Sequence, residues 1–279
     1  MYAQAATPMN DLKDNITVLR QPDYSGYARF YDYFELAGRE ESEELNVFLD
    51  DLFRINGVKS ILDFACGTGA QSIGLAKLGY DVTAADLNRQ MLNIAIQKAQ
   101  NIELKFLEGD MCTARHGTFD AAICIFNAIG HLDRENCQKF FVNALEHLNP
   151  GGIFATDILN FCAMNGGAFK QYKYMSREAL IDGMLVHHVR NCKLDKSNRR
   201  ISVKSQTRWQ NGVGKPGEIQ DNWQMQLYDA EELQKMLSDA GFAEIVLFGP
   251  TGCEFDKLTS DSILAVCQKK ANTKGKTSK

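Results

Sequence analysis

No stretch of the 279-residue chain approaches the ~20 consecutive apolar residues that a membrane-crossing helix needs. The first residues, Met1 to Arg20, lack the basic start and apolar run of a secretory signal. Positive charge is not in surplus: 31 Lys+Arg against 35 Asp+Glu give a formal net charge of -4. Without a broad positive field, counterion release cannot hold a phosphate backbone, so a nucleic-acid partner is disfavoured, although a local patch escapes that argument. The eight cysteines (Cys66, Cys112, Cys124, Cys137, Cys162, Cys192, Cys253 and Cys267) never form a C-x-x-C pair, and several sit in apolar runs. They read as reduced thiols in a cytosol. No metal-ligand cluster, nucleophilic triad or internal repeat is visible. These absences lead us to expect a soluble, cytoplasmic protein with no membrane partner.

What is present is organised around Ile61 to Gly69, Ile-Leu-Asp-Phe-Ala-Cys-Gly-Thr-Gly, followed by a helix-forming stretch from Ala70 to Leu78. An apolar strand delivered into a glycine turn and then a helix brings bare backbone N–H groups and a positive helix end to a bound ligand. A dinucleotide loop wants G-x-G-x-x-G, yet after Gly67 and Gly69 the third position is Ser72. Downstream, Tyr80 to Ala85 reads as a strand stopping at Asp86, where an acid is placed to accept two ribose hydroxyls. A plain helix N-cap is the structural alternative for Asp86. Leu104 to Leu107 is a third strand, running into Glu108-Gly109-Asp110-Met111, and Phe119 to Phe126 is a fourth. Asp133 caps a helix to Leu148, and Asn149-Pro150-Gly151-Gly152 breaks it before a fifth strand, Ile153 to Ile158. Three acids, Asp63, Asp86 and Asp110, thus fall at the carboxyl edge of one sheet.

The glycine turn resembles motif I of the class I S-adenosylmethionine-dependent methyltransferases, in which an acid ends a strand before a small-x-Gly-x-Gly turn, here Asp63, Ala65, Gly67 and Gly69. The resemblance covers about Tyr24 to Gln268 and implies S-adenosyl-L-methionine as cofactor. By position, Asp110 would take the adenine amino group and the Met111 N–H a ring nitrogen. Cys66, Leu87, Met91 and Phe126 flank these positions and complete the expected contact set, although Met91 also belongs to an inward helix stripe with Leu92, Ala95 and Ala99. A tyrosine-rich segment, with Tyr24, Tyr27 and Tyr31, matches a lid that closes over the cofactor, where an aromatic face can hold a sulfonium. Packing against the core is the equal alternative.

The heptad Phe126 to Leu132 resembles the post-strand motif of amino-sugar N,N-dimethyltransferases and of glycine and sarcosine N-methyltransferases. It makes Asn127 an expected acceptor-positioning residue and His131 a base or hydrogen-bond orienter, against a structural histidine as the plain reading. The fold implied is α/β: a Rossmann-like, doubly wound, mainly parallel seven-stranded sheet with an antiparallel edge strand. After the fifth strand, alternating segments at Met184 to Leu194, Arg200 to Gln210 and Glu218 to Leu227 read as an inserted antiparallel sheet. Its Arg190, Arg208, Trp209 and Trp223 are candidate lining residues. The expected divisions are a lid and first helix over 1–56, a cofactor core over 57–158, the insertion over 159–228, the end of the core over 229–270, and a polar, disordered tail over 271–279. Glycine methyltransferases carry an arginine just after the fifth strand, where this chain has Leu159. The acceptor expected is therefore a larger amine, with glycine or sarcosine, an O-acceptor, and a non-catalytic cofactor binder as alternatives. The resemblance leaves a homodimer open.

Overall fold

The computed structural model describes residues 19–35, 40–210 and 216–271. All but the last two residues of the Met1 to Arg20 stretch, and the expected tail beyond Ala271, lie outside them. Two helices come first, α1 (Ala28–Phe34) and α2 (Glu40–Ile55). The core then alternates strand and helix: β1 (Ser60–Asp63), α3 (Ala70–Lys77), β2 (Asp81–Asp86), α4 (Arg89–Lys98), β3 (Lys105–Glu108), β4 (Phe119–Cys124), α5 (Arg134–Glu146) and β5 (Leu148–Leu159). Short helices α6 (Phe161–Ala163) and α7 (Phe169–Tyr172) flank a π-turn at Met164–Ala168. Strands β6 (Tyr174–Ile181), β7 (Met184–Asp195), β8 (Arg200–Gln210) and β9 (Gly217–Gln226) follow, then α8 (Ala230–Ala240), β10 (Phe242–Phe248) and β11 (Ser262–Lys269).

The seven-stranded sheet has the order β10-β11-β5-β4-β1-β2-β3. Its β3-to-β5 part is parallel, and β11 runs antiparallel to both β5 and β10, giving the expected hairpin at that edge. Alternation along β1 shows how the sequence builds the layers. Ile61 faces one side with Leu45, Leu49 and Phe53 of α2, while Leu62 faces the other with Phe140 and Phe141 of α5 and Leu233 of α8. Helix starts follow local chemistry: Asp133 accepts from the Asn136 N–H and Asp229 from the Glu232 N–H. Asp229 and Glu232 have the spacing of a capping box, but only half of it is made, because the Glu232 carboxylate turns to Arg134 and Arg199.

Two strand readings need correction. Strand β5 begins at Leu148, paired with Phe119, and absorbs Asn149 to Gly152 through a register shift. The inserted sheet has four strands rather than three, because β6 pairs antiparallel with β7 along its length.

Candidate active site

A cavity of about 450 Å³ opens at the carboxyl edge of the parallel strands. Ala65 and Gly67 of the glycine turn, Asp86 and Leu87 at the end of β2, and Met91 of α4 line one part. Asp110 and Met111 after β3, Phe126 after β4, His131, and Tyr24 and Tyr31 from the N-terminal segment line the rest. Gly67 has φ 54, and a Cβ built there would approach Met91 Cε at 3.5 Å, so a side chain would project into the space the turn leaves bare. Its N–H donates to Asp86 Oδ2 at 2.8 Å, and the Asn88 N–H donates to Asp86 Oδ1 at 2.7 Å. Burial raises the Asp86 carboxyl pKa against these two bonds. Asp86 is not the cap of α4: the Asn88 side chain accepts from the N–H groups of Gln90 and Met91.

Five expected site residues lie elsewhere. Asp63 is buried behind the turn and accepts the Ser72 hydroxyl at 2.5 Å, with burial pushing its carboxyl up to about 7. The residue that breaks the dinucleotide pattern therefore ties α3 to β1, and Asp63 is its partner rather than a cavity wall. Gly69 has φ 84, and a Cβ there would sit 3.0 Å from Ile73 Cδ1 and 3.1 Å from Ala95 Cβ, so this glycine allows helix packing. Cys66 is buried against Ala84 and Leu92, away from the cavity. Tyr27 donates to Glu35 Oε1 at 3.2 Å and lies over His188 at a ring-centroid distance of 5.0 Å.

Asn127 corrects the expectation most sharply. Phe126 and Asn127 both take left-handed backbone, φ 61 and 58, turning the chain off β4 into a short 3₁₀ helix, Ala128–His131. The Asn127 N–H donates to Asp157 Oδ1 at 2.9 Å, its Oδ1 accepts the Leu159 N–H at 2.9 Å, and its Nδ2 meets Met225 Sδ at 3.4 Å. Its side chain fastens the turn to β5 and β9 instead of facing an acceptor. The turn delivers His131 to the cavity, where Nε2 lies 3.2 Å from the Tyr24 hydroxyl and Nδ1 is buried without a hydrogen-bond partner. Burial pushes the imidazole pKa down to about 4, against the opposing pull of the Glu35 carboxylate, so the ring is uncharged at neutral pH.

The tyrosine segment divides between the cavity wall and the core. Tyr24 and Tyr31 meet edge to face at 5.7 Å on the cavity wall. Tyr27, Phe30 and Phe34 pack against Ile181, Met184 and Val186 of the inserted sheet. Asp32 accepts from both the Thr68 hydroxyl and Lys98 Nζ, fastening α1 to the glycine turn and α4. None of the four candidates from the insertion lines the cavity. Arg190 pairs with Glu35 at 3.0 Å, Arg208 pairs with Glu218 at 3.0 Å, and Trp209 and Trp223 pack in two apolar clusters.

Sequence reasoning missed Gln21 and Pro22, Phe64 inside the motif, and Asn136 and Lys139, one turn of α5 apart. Only their spacing from named residues could have indicated them.

Residues 61–152, which contain the glycine turn, both cavity acids and His131, match the family described as methyltransferase domain. Over that third of its length the chain is similar to a methyltransferase domain. The putative methyltransferase YqeM of Bacillus subtilis is 34% identical over 139 residues, 48% of this chain and 55% of that protein. The glycine/sarcosine N-methyltransferase of Parasynechococcus marenigrum is 34% identical over 138 residues, 45% of this chain and 48% of that one. The chain thus spans about half the length of the curated relatives it matches. Among solved structures, an S-adenosylmethionine-dependent methyltransferase from Clostridium acetobutylicum aligns with a TM-score of 0.74 at 18% identity, covering 89% of this chain and 99% of that one. The sugar N-methyltransferase KedS8 from Streptoalloteichus sp aligns with a TM-score of 0.70 at 18% identity, covering 96% and 100%. At these identities the likeness to both structures is one of fold alone.

Proposed function

We propose that this protein transfers a methyl group from S-adenosylmethionine to the amine nitrogen of a small molecule. The observation that carries the reading is one cavity that gathers the bare Gly67 turn, the carboxylates of Asp86 and Asp110, and an uncharged histidine. Asp86 would hold the ribose hydroxyls, Asp110 and the Met111 N–H the adenine edge, and the faces of Tyr24 and Tyr31 the sulfonium. When bound, the cofactor supplies an electrophilic methyl group. The chain's own task is then to bring the acceptor to about 3–3.5 Å from it and keep water out. A histidine with pKa near 4 is too weak a base to strip an alkylammonium, so of its two expected roles the orienter is the one its surroundings favour. With Nε2 at 3.2 Å from the Tyr24 hydroxyl and Nδ1 buried, His131 would act on the acceptor by fixing the direction of the Tyr24 hydroxyl.

The surroundings also bear on acceptor class. Leu159 follows the fifth strand, Arg190 is neutralised by Glu35, and Lys139, the cationic residue on the described cavity wall, pairs with Glu135 at 2.8 Å. A free carboxylate on the acceptor finds no unpaired cation there, which supports a larger amine such as an amino sugar over glycine. The 34% identity to a glycine/sarcosine N-methyltransferase keeps a small amino acid as the second reading. Among the described residues no helix is long and apolar enough to cross a membrane. We place the acceptor among diffusible cytoplasmic metabolites, with neither nucleic acid nor membrane as partner.

Calorimetry with S-adenosylmethionine and its demethylated product, followed by a product-release assay over free and nucleotide-linked amino sugars, glycine and sarcosine, tests this reading. Cofactor binding with turnover on an amine is expected. Binding of a nicotinamide dinucleotide in place of the cofactor, or turnover confined to hydroxyl acceptors, would overturn it.

A further inference from the structure

The inserted sheet carries a second concavity, of about 380 Å³, between the π-turn, α7 and the end of β7. Four lysines line it, Lys170, Lys173, Lys193 and Lys196, and no aspartate or glutamate does. All four are exposed, and among the described residues none has an ion pair or a side-chain hydrogen bond. The nearest acid in sequence, Asp195, is engaged by its own turn: its carboxylate accepts from the N–H groups of Ser197 and Asn198, the Ser197 hydroxyl and Asn198 Nδ2. In a chain of net charge -4 this is a local excess of unpaired positive charge, held together by the fold. The backbone bond from the Cys192 N–H to the Lys173 carbonyl, at 2.9 Å, sets the two lysine-bearing segments side by side.

The floor of the concavity is built for close approach. Met164, Asn165 and Gly167 of the π-turn line it, and Gly167 takes φ 135, ψ -15, a conformation open to glycine and strained for other residues. A Cβ built at Gly166 or Gly167 would meet nothing within 4 Å, so the turn leaves its backbone open. Beside it, Phe169 and Leu194 present apolar surface continuous with buried Met164 and Trp223. That cluster also includes Leu159 and Met225, which contact Asn127. The concavity and the cavity at the sheet edge share no lining residue.

We infer that this concavity is a binding site for a small phosphorylated molecule, its phosphate held by the four lysines against the glycine turn and its organic part lying on Phe169 and Leu194. Like charges gathered at one spot repel, and a multiply charged anion relieves that repulsion while accepting charge-assisted hydrogen bonds. The inference stands apart from the methyl-transfer reading.

The test is titration of the full chain with phenyl phosphate and with pyrophosphate, followed by calorimetry. Saturable one-to-one binding that weakens with rising ionic strength is expected. Lys173→Gln and Lys193→Gln should each weaken it about tenfold, the size of one charge-assisted hydrogen bond. Lys204→Gln, an exposed lysine of the same sheet outside the concavity, should leave it unchanged. Saturation with the demethylated cofactor should also leave phosphate binding intact. Tighter binding of phenyl phosphate than of inorganic phosphate would bear out the apolar floor. Several results would overturn the inference: no saturable binding, binding insensitive to both lysine substitutions, binding abolished by the cofactor product, or capture of anionic vesicles or single-stranded RNA in place of either probe.

Discussion

The uncharged state of His131 makes stability depend on pH in a way that can be isolated. Its folded pKa is about 4, whereas an unfolded chain restores the ordinary value of about 6.5. Between these values the unfolded state binds more protons, so stability rises with pH across the window and is lost as pH falls from 6.5 towards 4. At about 1.4 kcal/mol per pH unit the full difference is about 3 kcal/mol. Other buried groups titrate in the same range: His188 is pushed down to about 4, with the same sign, while Asp63 near 7 and Asp157 near 6 act with the opposite sign. The raw stability curve therefore mixes these contributions, and the comparison has to be made with His131→Asn, which shares all of them. Urea denaturation of both proteins from pH 4 to pH 7 should show the gap in unfolding free energy changing by about 3 kcal/mol in favour of wild type as pH rises. If the two curves run parallel, His131 is not buried uncharged and the orienter role loses its basis. The activity profile gives a second reading, since no acid limb near pH 6.5 should come from this residue.

Asp86→Asn keeps one acceptor but turns the other towards a donor, so affinity for the demethylated cofactor should fall about tenfold or more by calorimetry. Asn127→Ala loses the bond to the Leu159 N–H and strains a left-handed backbone, costing about 2 kcal/mol; Asn127→Gly should recover the backbone part when both are compared by urea denaturation. Gly69→Ala should destabilise by more than about 1 kcal/mol in the same assay, because φ 84 and the contacts at 3.0 and 3.1 Å both oppose a methyl group. Arg190→Ala strands the Glu35 carboxylate and should cost about 3 kcal/mol, most of it regained in the Arg190→Ala, Glu35→Gln double variant.

The parallel core was legible because its signals are local: apolar runs of strand length, a glycine turn, and acids where each strand stops. The positions of Asp86 and Asp110 followed from those boundaries, whereas His131 was singled out by the resemblance of its heptad to a known motif. What stayed hidden was direction. Tyr24, Tyr27 and Tyr31 look alike in sequence, yet only a packed α1 decides that Tyr27 turns to Glu35 while its neighbours face the cavity. Asn127 misled because nothing in Phe126-Asn127 announces two consecutive left-handed residues, and that backbone turns the amide towards β5. Asp63 misled for a related reason, since its role depends on Ser72, read only as a missing glycine. Strand β6 escaped notice because its residues alternate between exposed and half-buried and carry little apolar pattern.

The polypeptide leaves the core sheet after Leu159 and ends the inserted sheet just before Tyr228; Asn160 and Tyr228 are joined by a parallel bridge, with the Phe161 N–H donating to the Tyr228 carbonyl at 2.9 Å. Asn160 is further anchored by its side chain to the carbonyls of Lys257 and Ser260. Exit and entrance thus form a closed neck at the base of the inserted sheet, whose far side is held by the N-terminal segment through Glu35 and Arg190. The stretch matched to the family ends at Gly152, short of this neck, so a substitution at Asn160 acts on the attachment of the inserted sheet and not on the matched strands.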